Sequence, residues 1–149
     1  MFQPNEMPER LECGTVNVPG ILGVLGGIDY VNKIGVSKIY SHELSLIKRL
    51  YSGLEKVGGV MLYTPPPNHL EFAPVLSFNY KDYHSEKTDE ILSKLGFAVR
   101  GGLHCAPQAH KSLGTLKTGA VRVSVATFNT NAEIDKFLDC FYSKKVEKI

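Results

Sequence analysis

From Ser37 to Val57 the apolar residues Tyr40, Leu44, Ile47, Tyr51 and Leu54 recur at spacings of three and four, with Lys38, Glu43, Lys48, Arg49 and Glu55 mostly between them. Such spacing lines up on one face only in an α-helix, so the stretch predicts a helix whose stripe must be covered, ended by Gly58-Gly59. Ala120 to Ala126 carries the other periodicity. There Val121, Val123 and Val125 alternate with Arg122 and Ser124, which predicts a strand with one apolar and one polar face. Val60–Tyr63 and Ala73–Tyr80 read as strands on either side of the rigid turn Pro65-Pro66-Pro67-Asn68, and Phe97–Arg100 as a further short one.

The remaining helices announce themselves by their ends. Asn17 as cap, with Pro19 in the first turn, predicts a helix through Gly20, Gly23 and Gly27, a small-residue face that lets another backbone come close. Ser85 is placed to cap a helix that turns Ile91, Leu92 and Leu95 to the core and stops at Gly96. Thr130 to Glu133 is a capping-box pattern, followed by a buried stripe of Ile134, Phe137, Leu138 and Phe141. Together these elements predict an α+β fold: a small sheet of about three to four strands covered by helices on one side. Residues 1–17 read as an extended leading segment and residues 18–149 as one small domain.

The net charge is only +2 and the basic residues are scattered, which gives no support to nucleic-acid or membrane binding. No apolar run approaches the roughly 18 residues of a membrane span, and Met1–Arg10 has no apolar block, so a cytoplasmic location is expected. The three cysteines, Cys13, Cys105 and Cys140, are odd in number, widely spaced and without a CxxC pair, which argues against a disulfide framework or a zinc ribbon. No metal site is expected at His104, Cys105 and His110, because no fourth ligand is suitably spaced. A cysteine with a role here acts as a free thiol.

The richest stretch for chemistry is Val99-Arg100-Gly101-Gly102-Leu103-His104-Cys105-Ala106-Pro107, where a glycine pair and a proline frame a histidine and a cysteine between strands. Such a loop can expose a thiol, and nearby Arg100, His104, His110 and Lys111 would favour its thiolate if the fold brings them close. A buried, inert cysteine is the competing reading. For Arg122 the alternatives are an exposed strand arginine and a guanidinium fork that grips a carboxylate. Gly20 to Gly27 matches no phosphate-binding glycine spacing, so close helix packing accounts for it better.

Three blocks in order carry a resemblance: Arg100 to Pro107, then Gly119-Ala120-Val121-Arg122-Val123-Ser124, then Phe128-Asn129-Thr130 through Glu133-Ile134-Asp135. They look like the C-terminal signature of pyridoxal-phosphate-dependent cysteine desulfurases in the class V aminotransferase group. Pro8 to Asn17 is similar to that family's Arg-x-Glu-x-Gly-Thr segment, so the likeness runs from about Pro8 to Leu138. It implies the small C-terminal domain of a fold-type I pyridoxal-phosphate enzyme, in which sulfur passes from L-cysteine to an enzyme thiol as a persulfide and alanine leaves. On that likeness Cys105 is the acceptor thiol, Arg122 holds the substrate carboxylate, and Gly14 with Thr15 reaches the cofactor phosphate of a neighbouring subunit in a homodimer. Arg100 and His104 fall inside the matched block without an assigned step. An ordinary turn or cap is the alternative reading of Gly14 and Thr15.

The resemblance also says what is not here. The family's cofactor lysine lies in a His-Lys dipeptide well upstream of the Arg-x-Glu-x-Gly-Thr segment, and His110-Lys111 only imitates it, five residues after the cysteine. The expectation is therefore a truncated product or one half of a split enzyme, inactive alone and without its own pyridoxal phosphate. A large cofactor domain and a sulfur-acceptor protein would be its partners. Selenocysteine lyase, another class V aminotransferase, or a non-catalytic sulfur-relay domain are the alternatives.

Overall fold

A computed structural model describes residues 4–12, 14–67 and 72–147. Cys13, the first three residues of the leading segment and Asn68 of the proline turn lie outside the described residues. The chain divides into two compact units, residues 1–36 and 37–149.

In the first unit, helix α1 (Val18–Ile34) starts as its sequence dictates: the Asn17 side chain accepts a hydrogen bond from the Gly20 N–H at 3.0 Å, and a proline occupies the first turn. No residue of α1 is buried, and Ile21, Leu22, Val24, Leu25 and Ile28 are each more than half exposed. Over residues 6–12 the leading segment is turned, not extended. Arg10 N–H donates to the Glu6 carbonyl at 2.8 Å and Leu11 N–H to Pro8 at 2.9 Å, so the backbone meets its own carbonyls in successive turns.

The second unit is built on a three-stranded antiparallel sheet in the order β1-β2-β3, with β1 at Val60–Leu62, β2 at Val75–Tyr80 and β3 at Val121–Ser124. The register pairs Leu76 with Val123 and Phe78 with Val121 on the buried face, and Ser77 with Arg122 on the other. Helices α2 (Val36–Leu54), α3 (Ser85–Lys94) and α5 (Asn131–Tyr142) bring Leu46, Leu50, Leu54, Leu92 and Leu138 into the same core. Phe78 sits edge-on to both Phe137, at 6.4 Å between ring centroids, and Phe141, at 5.8 Å. In α2 the buried set is Leu46, Ile47, Leu50, Tyr51, Gly53 and Leu54, while Tyr40 and Leu44 are only half-buried, so burial concentrates in the C-terminal half of the helix. The capping box at α5 forms in full: Thr130 Oγ1 accepts from Glu133 N–H, and the Glu133 carboxylate accepts from Thr130 N–H at 2.7 Å. After α5, a 3₁₀ turn at Lys145–Glu147 is pinned by Tyr80, whose hydroxyl donates to the Glu147 carboxylate at 2.6 Å.

Two further expectations need correction. Phe97–Arg100 is not a strand and meets β3 only through an isolated bridge between Arg100 and Arg122. The cause lies upstream: Gly96 is left-handed at φ 89°, Phe97 N–H turns back to the Leu92 carbonyl, and the Phe97 ring packs edge-on against Phe137 at 5.2 Å. That holds residues 97–99 away from β3 and leaves an apolar groove of about 390 Å³ lined by Leu50, Phe97, Val99, Val125, Ile134 and Phe137. Nor does Ser85 cap its helix. It is the first helical residue, His84 occupies the cap position without a side-chain bond, and the Ser85 hydroxyl is used elsewhere.

Phe137→Ala should cost about 3–5 kcal/mol of folding stability and Thr130→Ala about 1 kcal/mol, as measured by urea denaturation. Equal losses would contradict a core centred on the Phe78 cluster.

Candidate functional site

The loop that carries Cys105 leaves the sheet at Arg100 and is fastened to β3 from the side. Arg100 and Arg122 exchange both backbone hydrogen bonds, at 3.2 and 2.8 Å, which closes the ladder for one step. Two residues on, Ala120 N–H donates to the Gly102 carbonyl at 3.1 Å, and His104 Nε2 lies 2.9 Å from the Ala120 carbonyl. Ala106 N–H closes the turn onto Leu103 at 2.8 Å, and α4 (Pro107–Ser112) begins at once. Leu103 is thus bracketed by anchors. The Cys105 side chain follows the second anchor directly and is exposed.

The backbone is unusual there. His104 and Cys105 both adopt left-handed conformations, at φ 52° and 58°, after Gly102 at 108°. Non-glycine residues enter this region at a cost of about 1–2 kcal/mol each, and such strain concentrates where a side chain must be aimed.

A carbonyl can only accept, so the Ala120 contact fixes the neutral His104 ring as the Nε2–H tautomer. Its other nitrogen, Nδ1, is sealed from solvent with no partner among the described residues. Burial, followed by the positive charges of Arg122, Arg100 and His110, lowers the His104 pKa against the Ala120 bond, which raises it. The His110 ring stands 5.7 Å from that of His104 and is itself buried, with Nδ1 2.8 Å from the Thr115 hydroxyl. Among the described residues no cluster of His, Cys, Asp or Glu is arranged to hold a metal ion.

Arg122 and Arg100 are direct cross-strand partners and share the sheet face opposite the core. Like charges so placed repel, yet neither guanidinium has a carboxylate partner among the described residues, whereas Arg49 is held by both oxygens of Asp135. The second unit therefore gathers Cys105, Arg122, Arg100 and His104 around one end of β3. Gly14 and Thr15 lie in the first unit, exposed, just before the Asn17 cap. Cys140, unlike the exposed Cys105, is buried on α5. Its thiol donates to the Lys136 carbonyl at 3.3 Å, and burial pushes its pKa up. Sequence reasoning missed Ser85, which bonds the loop from 17 residues away, and Ala120, whose carbonyl and N–H both hold it.

Two outcomes follow from this geometry. Iodoacetamide at neutral pH should modify Cys105 at least about tenfold faster than Cys140; equal rates would contradict the difference in exposure. The His104 ring should titrate below its ordinary 6.5 by NMR. Because the unfolded chain then takes up the proton first, this group withdraws stability as pH falls from the unfolded pKa through the folded one, and withdraws none above it. A midpoint at or above 6.5 would remove that effect.

The Aminotransferase class-V family model matches residues 2–137. A protein of Xylella fastidiosa strain Temecula1 named "Probable cysteine desulfurase" is 34% identical over 145 residues, which is 97% of this chain and 33% of that protein. The apo cysteine desulfurase of Thermococcus onnurineus NA1 superposes with a TM-score of 0.83 at 36% identity, covering 95% of this chain and 34% of its own. The Escherichia coli cysteine desulfurase CsdA, in an S-sulfonic acid form, gives 0.80 at 25% identity, covering 95% and 33%. The chain spans about a third of the length of the curated relatives it matches. With its sheet and flanking helices superposing on two of these structures and the family model running through nearly all of it, the chain belongs to the class V aminotransferase family.

Proposed function

We propose that this chain is the C-terminal, thiol-bearing portion of a cysteine desulfurase. One observation carries the reading: an exposed thiol at Cys105 is tied by backbone and histidine bonds to the strand that presents Arg122, opposite a second arginine, with no carboxylate among the described residues to neutralise either. An amino-acid substrate needs its carboxylate held and its side chain aimed at a nucleophile. A guanidinium fork does the first through two parallel hydrogen bonds, and Arg100 adds positive charge on the same face.

In this reading the Cys105 thiolate attacks the sulfur of substrate cysteine. The S–S bond forms as the substrate Cβ–S bond breaks, the electron pair passes to the carbon and a proton completes alanine, leaving a persulfide on Cys105. The thiol directly follows the His104 anchor and its side chain is exposed, open to onward transfer to a sulfur-acceptor protein. Arg122, on the strand itself, keeps the substrate in register.

Pyridoxal phosphate supplies the electron-withdrawing chemistry when bound, by the likeness to cysteine desulfurases. The residues present here do not make a complete site for it. Every described lysine is exposed, Lys111 on α4 included, so none offers the enclosed amine that such a cofactor takes. Gly14 and Thr15 fit a narrower task, since a Cβ-free backbone and an adjacent hydroxyl suit a phosphate presented by another subunit. The large cofactor domain, the dimer partner and the L-cysteine substrate all belong to this proposal. The exposed Cys105 thiol also fits a second reading, a sulfur-relay domain that accepts sulfur there from another protein.

Two measurements test the proposal. Mixed with pyridoxal phosphate, the chain alone should give no stable stoichiometric imine absorbance; such a band would overturn the assignment of the lysine to another polypeptide. With a cofactor-bearing partner portion, Arg122→Gln should raise KM for cysteine by roughly a hundredfold with a smaller effect on kcat, whereas an unchanged KM would leave Arg122 without the role.

A further inference from the structure

The Ser85 hydroxyl is fully buried at the first position of α3, where a serine would ordinarily serve the helix, and it serves the Cys105 loop instead. It accepts the Gly102 N–H at 2.9 Å. Around that bond the chain is stripped to backbone. A Cβ on Gly119 would collide with the Ser85 hydroxyl and with the Gly102 main chain, and a Cβ on Gly101 would come within 2.7 Å of the Ser85 carbonyl. The Ser85 N–H donates to the Thr118 carbonyl at 3.0 Å, and Asn79, buried on β2, donates its side-chain amide to the Gly119 carbonyl at 2.9 Å. Two loops, 101–102 and 118–119, are therefore closed onto one serine. Helix α3 meanwhile starts without a side-chain cap.

We infer that Ser85 is a positioning residue for Cys105, a latch that holds the Gly101-Gly102 hinge so that His104 reaches Ala120 and the thiol is aimed in one direction. The inference rests on the proposed function for what the aim achieves, though the latch itself does not. A serine recruited only for its size would leave the Gly102 N–H without an acceptor; one recruited for the helix would bond its own first turn. The observed bond does neither, and it joins residues far apart in sequence at the point where the loop leaves the sheet.

Amide exchange on the full chain tests the latch directly. In the wild type the Gly102 amide should be protected at least about a hundredfold more than that of Leu103, which lies between the two anchors; equal exchange would overturn the inference without any variant. Ser85→Ala should speed exchange at Gly102 by about tenfold or more. Adding His84→Asp gives α3 the cap it lacks and should restore the melting temperature without restoring Gly102 protection. If the added cap does restore it, Ser85 acts through the helix and the latch is wrong. In an assembled desulfurase, Ser85→Ala should lower the rate constant for sulfur transfer about tenfold with KM for cysteine within about twofold, because Arg122 is held by β3. A loss confined to KM would contradict positioning of the thiol. If the wild-type assembly puts no sulfur on Cys105, the desulfurase reading fails, and the exchange results still decide the latch.

Discussion

Ala120 is the residue on which the arrangement turns, because its two backbone groups face the Cys105 loop together. Its N–H meets the Gly102 carbonyl and its carbonyl meets His104 Nε2, so the loop is bonded to the strand on both sides of Leu103. Remove that pair and Cys105 sits at the end of a glycine-rich tether. With it, the thiol inherits the position of a strand whose inner face, Val121 and Val123, is locked into the core. The chain from hydrophobic burial to chemistry is short: Phe78 and Leu76 fix β3 through register, β3 fixes Ala120, and Ala120 fixes the loop.

The sheet divides labour between its faces. Toward the helices it is apolar, and its aromatic cluster of Phe78, Phe137 and Phe141 supplies the rigidity. The opposite face is polar, carrying Ser77, Arg122 and, at the bridge, Arg100. Two arginines placed opposite each other, without a carboxylate partner among the described residues, oppose folding electrostatically, a cost that an incoming anion would relieve. The same charges discourage protonation of His104, and the Ala120 carbonyl selects the tautomer.

Local signals in the sequence were sufficient wherever the partner is local. Asn17 caps α1 and the Thr130–Glu133 box opens α5, each because the deciding contact lies three residues away, and the alternation of Val121, Arg122 and Val123 separates the two faces of β3 by itself. Ser85 defeats the same logic: a capping rule looks three residues ahead, and the group that claims its hydroxyl is 17 away. Phe97–Arg100 reads as a strand from its composition, but a strand needs a neighbour along its length, and the Phe97 ring commits the segment to Phe137 instead. Exposure of Cys105 and burial of Cys140 could not be told from the residues alone, since both lie beside apolar and charged neighbours. The blocks around Cys105 and Arg122 marked the site by likeness; only coordinates show that one alanine joins them.

The proposed transfer delivers sulfur from a cysteine substrate to the Cys105 thiol, on the loop bonded through Ala120 to the strand of Arg122. Feeding sulfur-labelled cysteine to the chain together with a cofactor-bearing partner portion, then mapping the label by peptide mass spectrometry without reductant, addresses it most directly. The label is expected on the peptide containing Cys105, as one added sulfur, and should disappear when a thiol reductant is added. Label on the peptides containing Cys140 or Cys13 instead, or alanine released while Cys105 stays unmodified, would contradict it.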